Sequence, residues 1–274
     1  MNPPDTTRSG QPHWRGAEEA APALEWPEAP EAIRLEPGQV HLWAAALNEF
    51  VDEVPKLAAL LSSAEHARAE KLRLAEDRDR YVIRHGLLRL ILSRYLEQPA
   101  SRIEFRYGAH GKPEVRSGSP TRLFFNTSRS GDLAVCAVTS ACPLGVDVER
   151  TREIPEIEDI ARRFFLPRET QALMARPADS RLQAFYNCWT RKEALLKATG
   201  EGITESLTKV EVTLLPEDKP GVVFVSGDPQ ARERWQLQPF SPARGYLGCV
   251  AYRNVALALS QWRVATPAMP MATP

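Results

Sequence analysis

The chain reads Gly145-Val146-Asp147-Val148-Glu149 just past its midpoint. Successive residues of a strand point to opposite faces, so Asp147 and Glu149 would lie side by side while the valines face the other way. Two neighbouring carboxylates are typical of a solvated strand face, but they also suit a hard cation such as Mg²⁺, which takes oxygen ligands. The pair alone leaves both interpretations open.

A helix predicted from about Leu182 to Thr199 adds a third carboxylate. Its apolar residues recur at helical spacing: Leu182, Phe185, Tyr186 and Trp189. Glu193 and Lys197 continue this row on the packing side, whereas an ordinary exposed pair, worth only ~0.2–0.5 kcal/mol, would lie opposite the stripe. Glu193 is therefore a candidate third ligand of a metal site, with the Lys197 ammonium beside it.

Helices followed by strands recur twice along the chain and predict an α+β fold. In the first half, a helix predicted from about Asp77 to Leu96 precedes strand-like runs that end at Val138. The segment Gly131–Val138 resembles Gly245–Tyr252, with glycine and leucine in register, which suggests an internal duplication. The sequence thus predicts two similar α+β lobes with a cleft between them.

Four segments are predicted from these patterns. Residues 1–37 carry repeated proline and glutamate with few large apolar groups, and we interpret them as a flexible extension because they cannot offset the entropy of ordering. Residues 38–143 are assigned to the first, basic lobe and residues 144–264 to the second lobe, which carries the acidic residues. Residues 265–274 are assigned to a tail.

Composition is that of an ordinary soluble globular protein. The 274 residues are 43% hydrophobic and 26% charged with a formal net charge of zero, so no global field would draw the chain to nucleic acid or to an anionic membrane. The sequence contains neither an uninterrupted apolar run of ~18–20 residues nor a secretory signal, and a cytoplasmic protein is expected.

Cysteine and histidine form no recognisable site in the sequence. The four cysteines, at positions 136, 142, 188 and 249, lack C-x-x-C spacing, and the five histidines lack the H-E-x-x-H pattern of zinc enzymes. A serine or cysteine nucleophile motif is also missing. Any chemistry is therefore expected to lie with carboxylates and basic groups.

Basic residues of the first lobe are candidates for binding an anion. Most lie in helical charge runs, which are usually solvated faces. Lys112 in Gly111-Lys112-Pro113 and Arg129 in Asn126-Thr127-Ser128-Arg129-Ser130-Gly131 instead lie in predicted loops, where side chains and backbone N–H groups can hold phosphates. A nucleotide pyrophosphate could bridge the basic lobe and the acidic lobe through a metal.

Two motifs together resemble those of a known family. Gly145–Glu149, followed after a mostly helical interval by Trp189-Thr190-Arg191-Lys192-Glu193-Ala194-Leu195-Leu196-Lys197, is similar to the signature pair of the Sfp-type 4′-phosphopantetheinyl transferases. The similarity extends over roughly residues 40–262 and includes Asn126–Gly131. It implies a pseudo-twofold pair of α+β lobes in one chain, with coenzyme A bound between them, and favours a monomer.

The resemblance also implies roles for individual residues. Asp147, Glu149 and Glu193 would hold Mg²⁺, Glu193 would also be a candidate base, and Lys197 would assist near the reacting phosphate. The implied contacts with coenzyme A are Arg68, Lys71, Arg84, Lys112 and Ser128. Arg129 stands where the family usually has histidine; it keeps a positive charge for phosphate but cannot become neutral near pH 7.

The implied reaction transfers phosphopantetheine from coenzyme A to a serine of an acyl, peptidyl or aryl carrier protein domain. The recipient serine would belong to the other protein, which explains the missing nucleophile motif. Two alternatives share the same residues: a Mg²⁺-dependent nucleotide pyrophosphohydrolase, and a noncatalytic module that binds coenzyme A or a carrier.

Overall fold

The computed structural model describes residues 22–96, 98–108, 111–116, 122–200 and 207–265. The strands are β1 (Gln39–Ala46), β2 (Phe105–Tyr107), β3 (Pro113–Val115), β4 (Phe124–Ser130), β5 (Leu133–Thr139), β6 (Leu144–Arg150), β7 (Val210–Val212), β8 (Val222–Val225), β9 (Trp235–Phe240), β10 (Tyr246–Arg253) and β11 (Ala258–Arg263). The α-helices are α1 (Val54–Ala58), α2 (Ser63–Glu70), α3 (Ala75–Leu96), α4 (Ile157–Phe164), α5 (Pro167–Met174), α6 (Ala178–Thr199) and α7 (Ala231–Arg234). The predicted α+β class is confirmed.

Within the ranges described, no helix has the length and apolar character needed to cross a bilayer.

Two main sheets organise the fold. The first has the order β11-β1-β5-β4 and the second the order β6-β10-β9, while β2-β3 and β7-β8 form small two-stranded sheets. All pairings in the main sheets are antiparallel except that of β11, which runs parallel to β1. The assignment of all residues 144–264 to the second lobe is therefore wrong at its end, because Ala258–Arg263 completes the first sheet.

One long helix covers the outer face of each main sheet. α3 and α6 both contain 22 residues, and each buries its apolar residues against its own sheet. A third core fills the space between the sheets, where Val40 and Leu42 of β1 meet Val146 and Val148 of β6. The two lobes therefore share an apolar interface, and the fold is layered as helix, sheet, sheet and helix.

A buried ion pair braces each long helix in the same way. In the first half, Glu65 of α2 pairs with Arg89 of α3 at 2.7 Å, and in the second half Glu169 of α5 pairs with Lys192 of α6 at 2.5 Å. Both glutamates are the third residue of their helix and accept from the backbone N–H at its start. Removing either partner of such a pair would leave a buried charge without a partner, which is strongly destabilising. Each pair therefore holds its long helix against the neighbouring short helix.

The central strands of the two sheets also correspond. β5 follows Gly131 and β10 follows Gly245, and both glycines have positive φ, 57° and 77°. These strands contain the two segments that resemble each other in sequence. Together with the matching ion pairs, this correspondence supports the predicted duplication, while the twofold relation itself stays a prediction.

Gly145 allows α6 to lie directly on β6. A Cβ atom at this position would stand 2.1 Å from the backbone oxygen of Ala194 and 2.4 Å from the backbone nitrogen of Ala198. Such distances are far inside van der Waals contact, and the obstructing atoms are backbone atoms that cannot rotate away. The glycine of the Gly145–Glu149 motif therefore sets the distance between the strand that carries two carboxylates and the helix that carries the third.

The start of the described chain crosses the second half of the protein. Leu24 forms a β-bridge with Ala243, and Trp26 packs on the edge of the Phe240 ring with only 6% of its surface exposed. The indole N–H of Trp26 donates to the backbone oxygen of Ser241 at 3.0 Å. Trp26 is thus anchored by burial and by a hydrogen bond.

The same segment continues along the first half. Arg94 of α3 donates to the backbone oxygen of Glu31 at 3.0 Å, and Ile33 and Leu35 pack against the core beneath α3. Residues 22–37 form a strap that touches both halves, so the prediction that residues 1–37 are flexible is wrong for this part. The segment has few large apolar residues, but Trp26, Ile33 and Leu35 are among those that pack against the rest of the protein. Residues 1–21 and 266–274 lie outside the described residues.

Replacing Gly145 with alanine should push α6 away from β6. We expect the free energy of unfolding to fall by about 1–3 kcal/mol or more, as overpacking does when the neighbours are rigid. The control is Gly221→Ala, because a Cβ at Gly221 would come no closer than 3.8 Å to Lys219 oxygen. Equal unfolding midpoints in urea for the two variants would contradict the close approach.

Replacing Trp26 with alanine tests the strap. We expect a loss of about 3–5 kcal/mol, the usual range for deleting a buried aromatic side chain. Leu74→Ala serves as the control because Leu74 is exposed. If thermal unfolding showed no difference between Trp26→Ala and Leu74→Ala, the strap would contribute nothing to the folded core.

Candidate functional site

The predicted acidic residues lie where β6 faces α6. Asp147 and Glu149 are on the face of β6 opposite Val146 and Val148, as the strand alternation predicts, and Asp147 is fully buried. Glu193 lies on α6 and is also buried, at 1% exposure. The helix and the strand thus bring carboxyl groups that are 44 residues apart in sequence, counting from Glu149 to Glu193, into one region.

Lys197 joins this region through two direct contacts. Its ammonium donates to Asp147 Oδ1 at 2.6 Å and to Ser128 Oγ at 3.0 Å, and the Ser128 hydroxyl in turn donates to the same Asp147 oxygen at 2.8 Å. Burial alone would lower the pKa of Lys197, but the charges of Asp147 and Glu193 outweigh it and raise that pKa. Lys197 is therefore a fixed positive charge within the acidic group.

Glu149 is held by a hydroxyl from the other half. The Ser130 hydroxyl donates to Glu149 Oε2 at 2.6 Å. Burial and the nearby Asp147 carboxylate nevertheless raise the pKa of Glu149 to about 8, because both disfavour its charged form. The carboxyl is thus poised to bind or release a proton near neutral pH.

Glu193 is the least satisfied of the three acids. Both of its carboxyl oxygens are buried without a hydrogen-bond partner, and so is Asp147 Oδ2. Burial and the repulsion from Asp147 raise the pKa of Glu193 to about 8, with Lys197 opposing the shift and Glu149 adding to it. The three carboxyl groups are therefore close enough to influence one another electrostatically.

These orphaned oxygens are suited to a hard cation. Carboxylate oxygens are the ligands that Mg²⁺ takes, and a divalent ion would offset the repulsion that raises the pKa of Glu149 and Glu193. Across the described ranges, no three His, Cys, Asp or Glu side chains already stand in a metal-binding arrangement. The acids fit such an ion by the chemistry of their oxygens and by the three that lack a hydrogen-bond partner, while the Lys197 ammonium bonds to Asp147.

The basic residues Arg84 and Arg129 lie close together. Burial and, to a smaller extent, the positive charge of Arg129 together lower the pKa of Arg84 to about 10. Arg84 donates through Nε to the backbone oxygen of Arg80 at 3.3 Å, and Arg129 is exposed on β4. Two guanidinium groups that repel each other are typical of a place where an anion binds.

Arg68 and Lys71 lie on the exposed side of the first half. The Arg68 guanidinium stands 4.7 Å from the centre of the Tyr107 ring, in the position of a cation–π contact. Lys71, the residue after α2, is exposed. The structure thus brings Arg84 and Arg129 together, while Arg68 and Lys71 are placed on α2 and at its end.

Lys112 has a contact that the sequence did not indicate. Its ammonium donates to the backbone oxygens of Leu144 at 2.9 Å and Lys197 at 2.7 Å, which ties the start of β6 to the end of α6. Burial lowers the pKa of Lys112 to about 8. Because an ammonium has three protons, one donor remains for the predicted contact with coenzyme A.

The segment Asn126–Ser130 is a strand rather than the predicted loop, since it forms most of β4. Its alternation matters, because Asn126, Ser128 and Ser130 all bond to β6 or to its carboxylates. Asn126 and Ser130 were not among the predicted site residues. The signal that could have found them is the polar residue at every second position.

Both halves of the chain match families of one kind. Residues 143–258 match the 4′-phosphopantetheinyl transferase superfamily, and residues 43–141 match the family described as 4′-phosphopantetheinyl transferase, N-terminal. Together the two matches run across both main sheets.

Named relatives agree with these matches. The chain is 36% identical over 227 residues to the 4′-phosphopantetheinyl transferase HetI of Nostoc sp., covering 82% of this chain and 92% of that protein. It is 33% identical to the putative 4′-phosphopantetheinyl transferase slr0495 of Synechocystis sp., covering 70% and 77%. It is 30% identical to the 4′-phosphopantetheinyl transferase Sfp of Bacillus subtilis, covering 60% and 70%. The chain therefore belongs to the 4′-phosphopantetheinyl transferase superfamily and is a transferase enzyme of that family.

Proposed function

We propose that the protein transfers phosphopantetheine from coenzyme A to a serine of an acyl, peptidyl or aryl carrier protein domain, with Mg²⁺ bound at the acidic cluster. The acidic cluster is Asp147, Glu149 and Glu193. The observation that carries the proposal is the burial of the Asp147 and Glu193 carboxyl groups, with Glu149 and the Lys197 ammonium beside them. Such a group has the charge and the oxygen atoms to receive a metal-bound pyrophosphate.

The donor would be held by positive charge from the first half. An anion between Arg84 and Arg129 would relieve the repulsion that lowers the pKa of Arg84, and guanidinium groups bind phosphate through paired hydrogen bonds. Lys112 and Ser128 lie at the edge of the same region through their contacts with Lys197. Arg129 would bind phosphate in place of the histidine that the family usually has, and it would stay charged near neutral pH, where histidine can lose its charge.

Asp147, Glu149 and Glu193 are the residues that would hold Mg²⁺. When bound, the ion would supply charge to offset the negative charge that develops on the departing phosphate. Lys197 keeps Asp147 Oδ1 in place and contributes a second positive charge, so part of this stabilisation comes from the chain itself.

The bond changes define what the remaining residues must do. The carrier serine oxygen forms a bond to the phosphorus next to pantetheine, the bridging P–O bond breaks, and adenosine 3′,5′-bisphosphate leaves. The serine proton must pass to an acceptor, and Glu193 has two carboxyl oxygens without a hydrogen-bond partner. A base of this kind, acting directly or through a water, contributes typically ~10²–10⁴-fold.

Intact-mass measurement of an apo carrier domain incubated with coenzyme A and Mg²⁺ tests this function. We expect the carrier to gain the mass of phosphopantetheine, and we expect Glu193→Gln and Asp147→Asn to reduce the rate at least ~10²-fold, since each removes charge from the metal-binding group. Glu233→Gln, on the exposed face of α7, is the control and should transfer at the normal rate.

Three outcomes would contradict the proposal. Wild-type rates in a folded Glu193→Gln variant would remove Glu193 from the reaction. Cleavage of coenzyme A without modification of the carrier would support the pyrophosphohydrolase alternative. Binding of coenzyme A without either product would support the noncatalytic module.

The raised pKa values predict a pH dependence of stability for the metal-free protein. The folded state keeps protons on Glu149 and Glu193 up to about pH 8, whereas the unfolded chain releases them near 4.5. Their contribution to stability is therefore present below about pH 4.5 and is lost as the pH rises to about 8.

Glu193→Gln should weaken this dependence, because one of the two titrating groups is gone. We expect its melting temperature to fall less than that of the wild type across the same pH window, measured by differential scanning calorimetry in a chelator. Glu233→Gln should follow the wild type. If the melting temperatures of the wild type and of Glu193→Gln depended on pH in the same way, Glu193 would not be a buried carboxyl whose pKa is raised by neighbouring charges.

A further inference from the structure

Strand β4 presents a row of three polar side chains to β6. Asn126 Oδ1 accepts from the backbone N–H of Val146 at 2.9 Å, and Ser128 and Ser130 donate to Asp147 and Glu149. The three residues are two apart, so they lie on one face of the strand. The residue numbers of the β6 partners rise with those of β4, so the two strands run in the same direction where they face each other. We call this contact between β4 and β6 the seam.

The seam joins the two halves without a backbone ladder. β4 is an edge strand of the first sheet and β6 is an edge strand of the second. Side-chain groups of β4 take the place that a neighbouring strand would occupy, and they cover an edge of β6. The position of the β6 carboxylates is therefore tied to the first half of the protein.

Ser130 is bonded on both sides of its hydroxyl. The oxygen accepts from the backbone N–H of Arg150 at 3.1 Å, while the hydroxyl contacts Glu149 Oε2 at 2.6 Å. A backbone N–H can only donate, so the single hydroxyl proton is directed at the Glu149 carboxyl. A hydroxyl fixed at both ends holds its partner in one orientation, which a freely rotating serine would not do.

We propose that Ser130 is a positioning residue that sets the orientation of Glu149 for metal binding. This inference rests on the function proposed above, in which Glu149 is one of the metal-binding acids. Ser130 itself contacts neither metal nor substrate in this scheme. It acts through Glu149, as the hydrogen-bonded partners of metal-ligating carboxylates do in other proteins.

The alternation of β4 gives the arrangement a second consequence. Ser128 and Ser130 face the acids, whereas Arg129, between them, is exposed and close to Arg84. One strand thus carries the hydroxyls that hold the acids on one face and a phosphate-binding candidate on the other. A shift of β4 would move both groups together.

The test is the affinity of the protein for Mn²⁺, a hard divalent ion that suits carboxylate ligands and is detected by electron paramagnetic resonance. It is carried out on the full chain without coenzyme A or carrier. We expect Ser130→Ala to weaken Mn²⁺ binding ~10–100-fold, the range for partners of metal ligands, and Ser130→Thr to restore it by returning the hydroxyl.

Thr127→Ala is the matched control, because Thr127 is a hydroxyl residue of the same strand with its side chain exposed on the other face. It should bind Mn²⁺ as the wild type does. Melting temperatures in a chelator show whether Ser130→Ala folds; if it does not, the Ser130→Thr and Ser130→Cys variants carry the comparison, since only the first keeps a strong donor.

The outcomes separate this inference from the proposed function. Wild-type affinity in folded Ser130→Ala, or in Ser130→Cys, would overturn the positioning role and leave the metal site standing. Failure of the wild type to bind Mn²⁺ would overturn the metal site and the positioning role together. Loss of affinity in Thr127→Ala equal to that in Ser130→Ala would also overturn the specific role of Ser130.

Discussion

The burial of like charges around Lys197 is the constraint on which the site depends. Three carboxyl groups share a region in which Lys197 bonds directly to Asp147, and burial together with repulsion raises the pKa of Glu149 and Glu193 to about 8. Such a group is unfavourable by itself, because charges in a low-dielectric interior are poorly solvated. A divalent cation, as proposed for this site, would offset the repulsion between these carboxylates.

The rest of the fold holds this group in place. Gly145 lets α6 approach β6, and the Lys112 ammonium ties the start of that strand to the end of the helix. Further along α6, the buried pair of Lys192 with Glu169 fixes the helix to α5. Because Glu193 follows Lys192 directly, the buried ion pair and the Glu193 carboxyl are neighbours on one helix.

The sequence predicted the local features well and the long-range partners poorly. Strand alternation placed Asp147 and Glu149, and helical spacing put Glu193 on the packing side. Neither pattern could show that Lys112 would bond to Leu144 and Lys197, because such contacts depend on tertiary structure. The order of the strap at 22–37 and the pairing of β11 with β1 were missed for the same reason. Trp26 bonds to Ser241 and Gln39 pairs with Ala258, and both partners lie more than two hundred residues away in sequence.

The most direct measurement is an anomalous difference map from crystals of this protein soaked in Mn²⁺. The account predicts one strong peak within about 2.0–2.4 Å of carboxyl oxygens from Asp147, Glu149 and Glu193, the range of hard-cation ligand distances. A fully occupied peak elsewhere, with Glu193 still lacking any partner for its two oxygens, would contradict the claim that these acids share one metal ion.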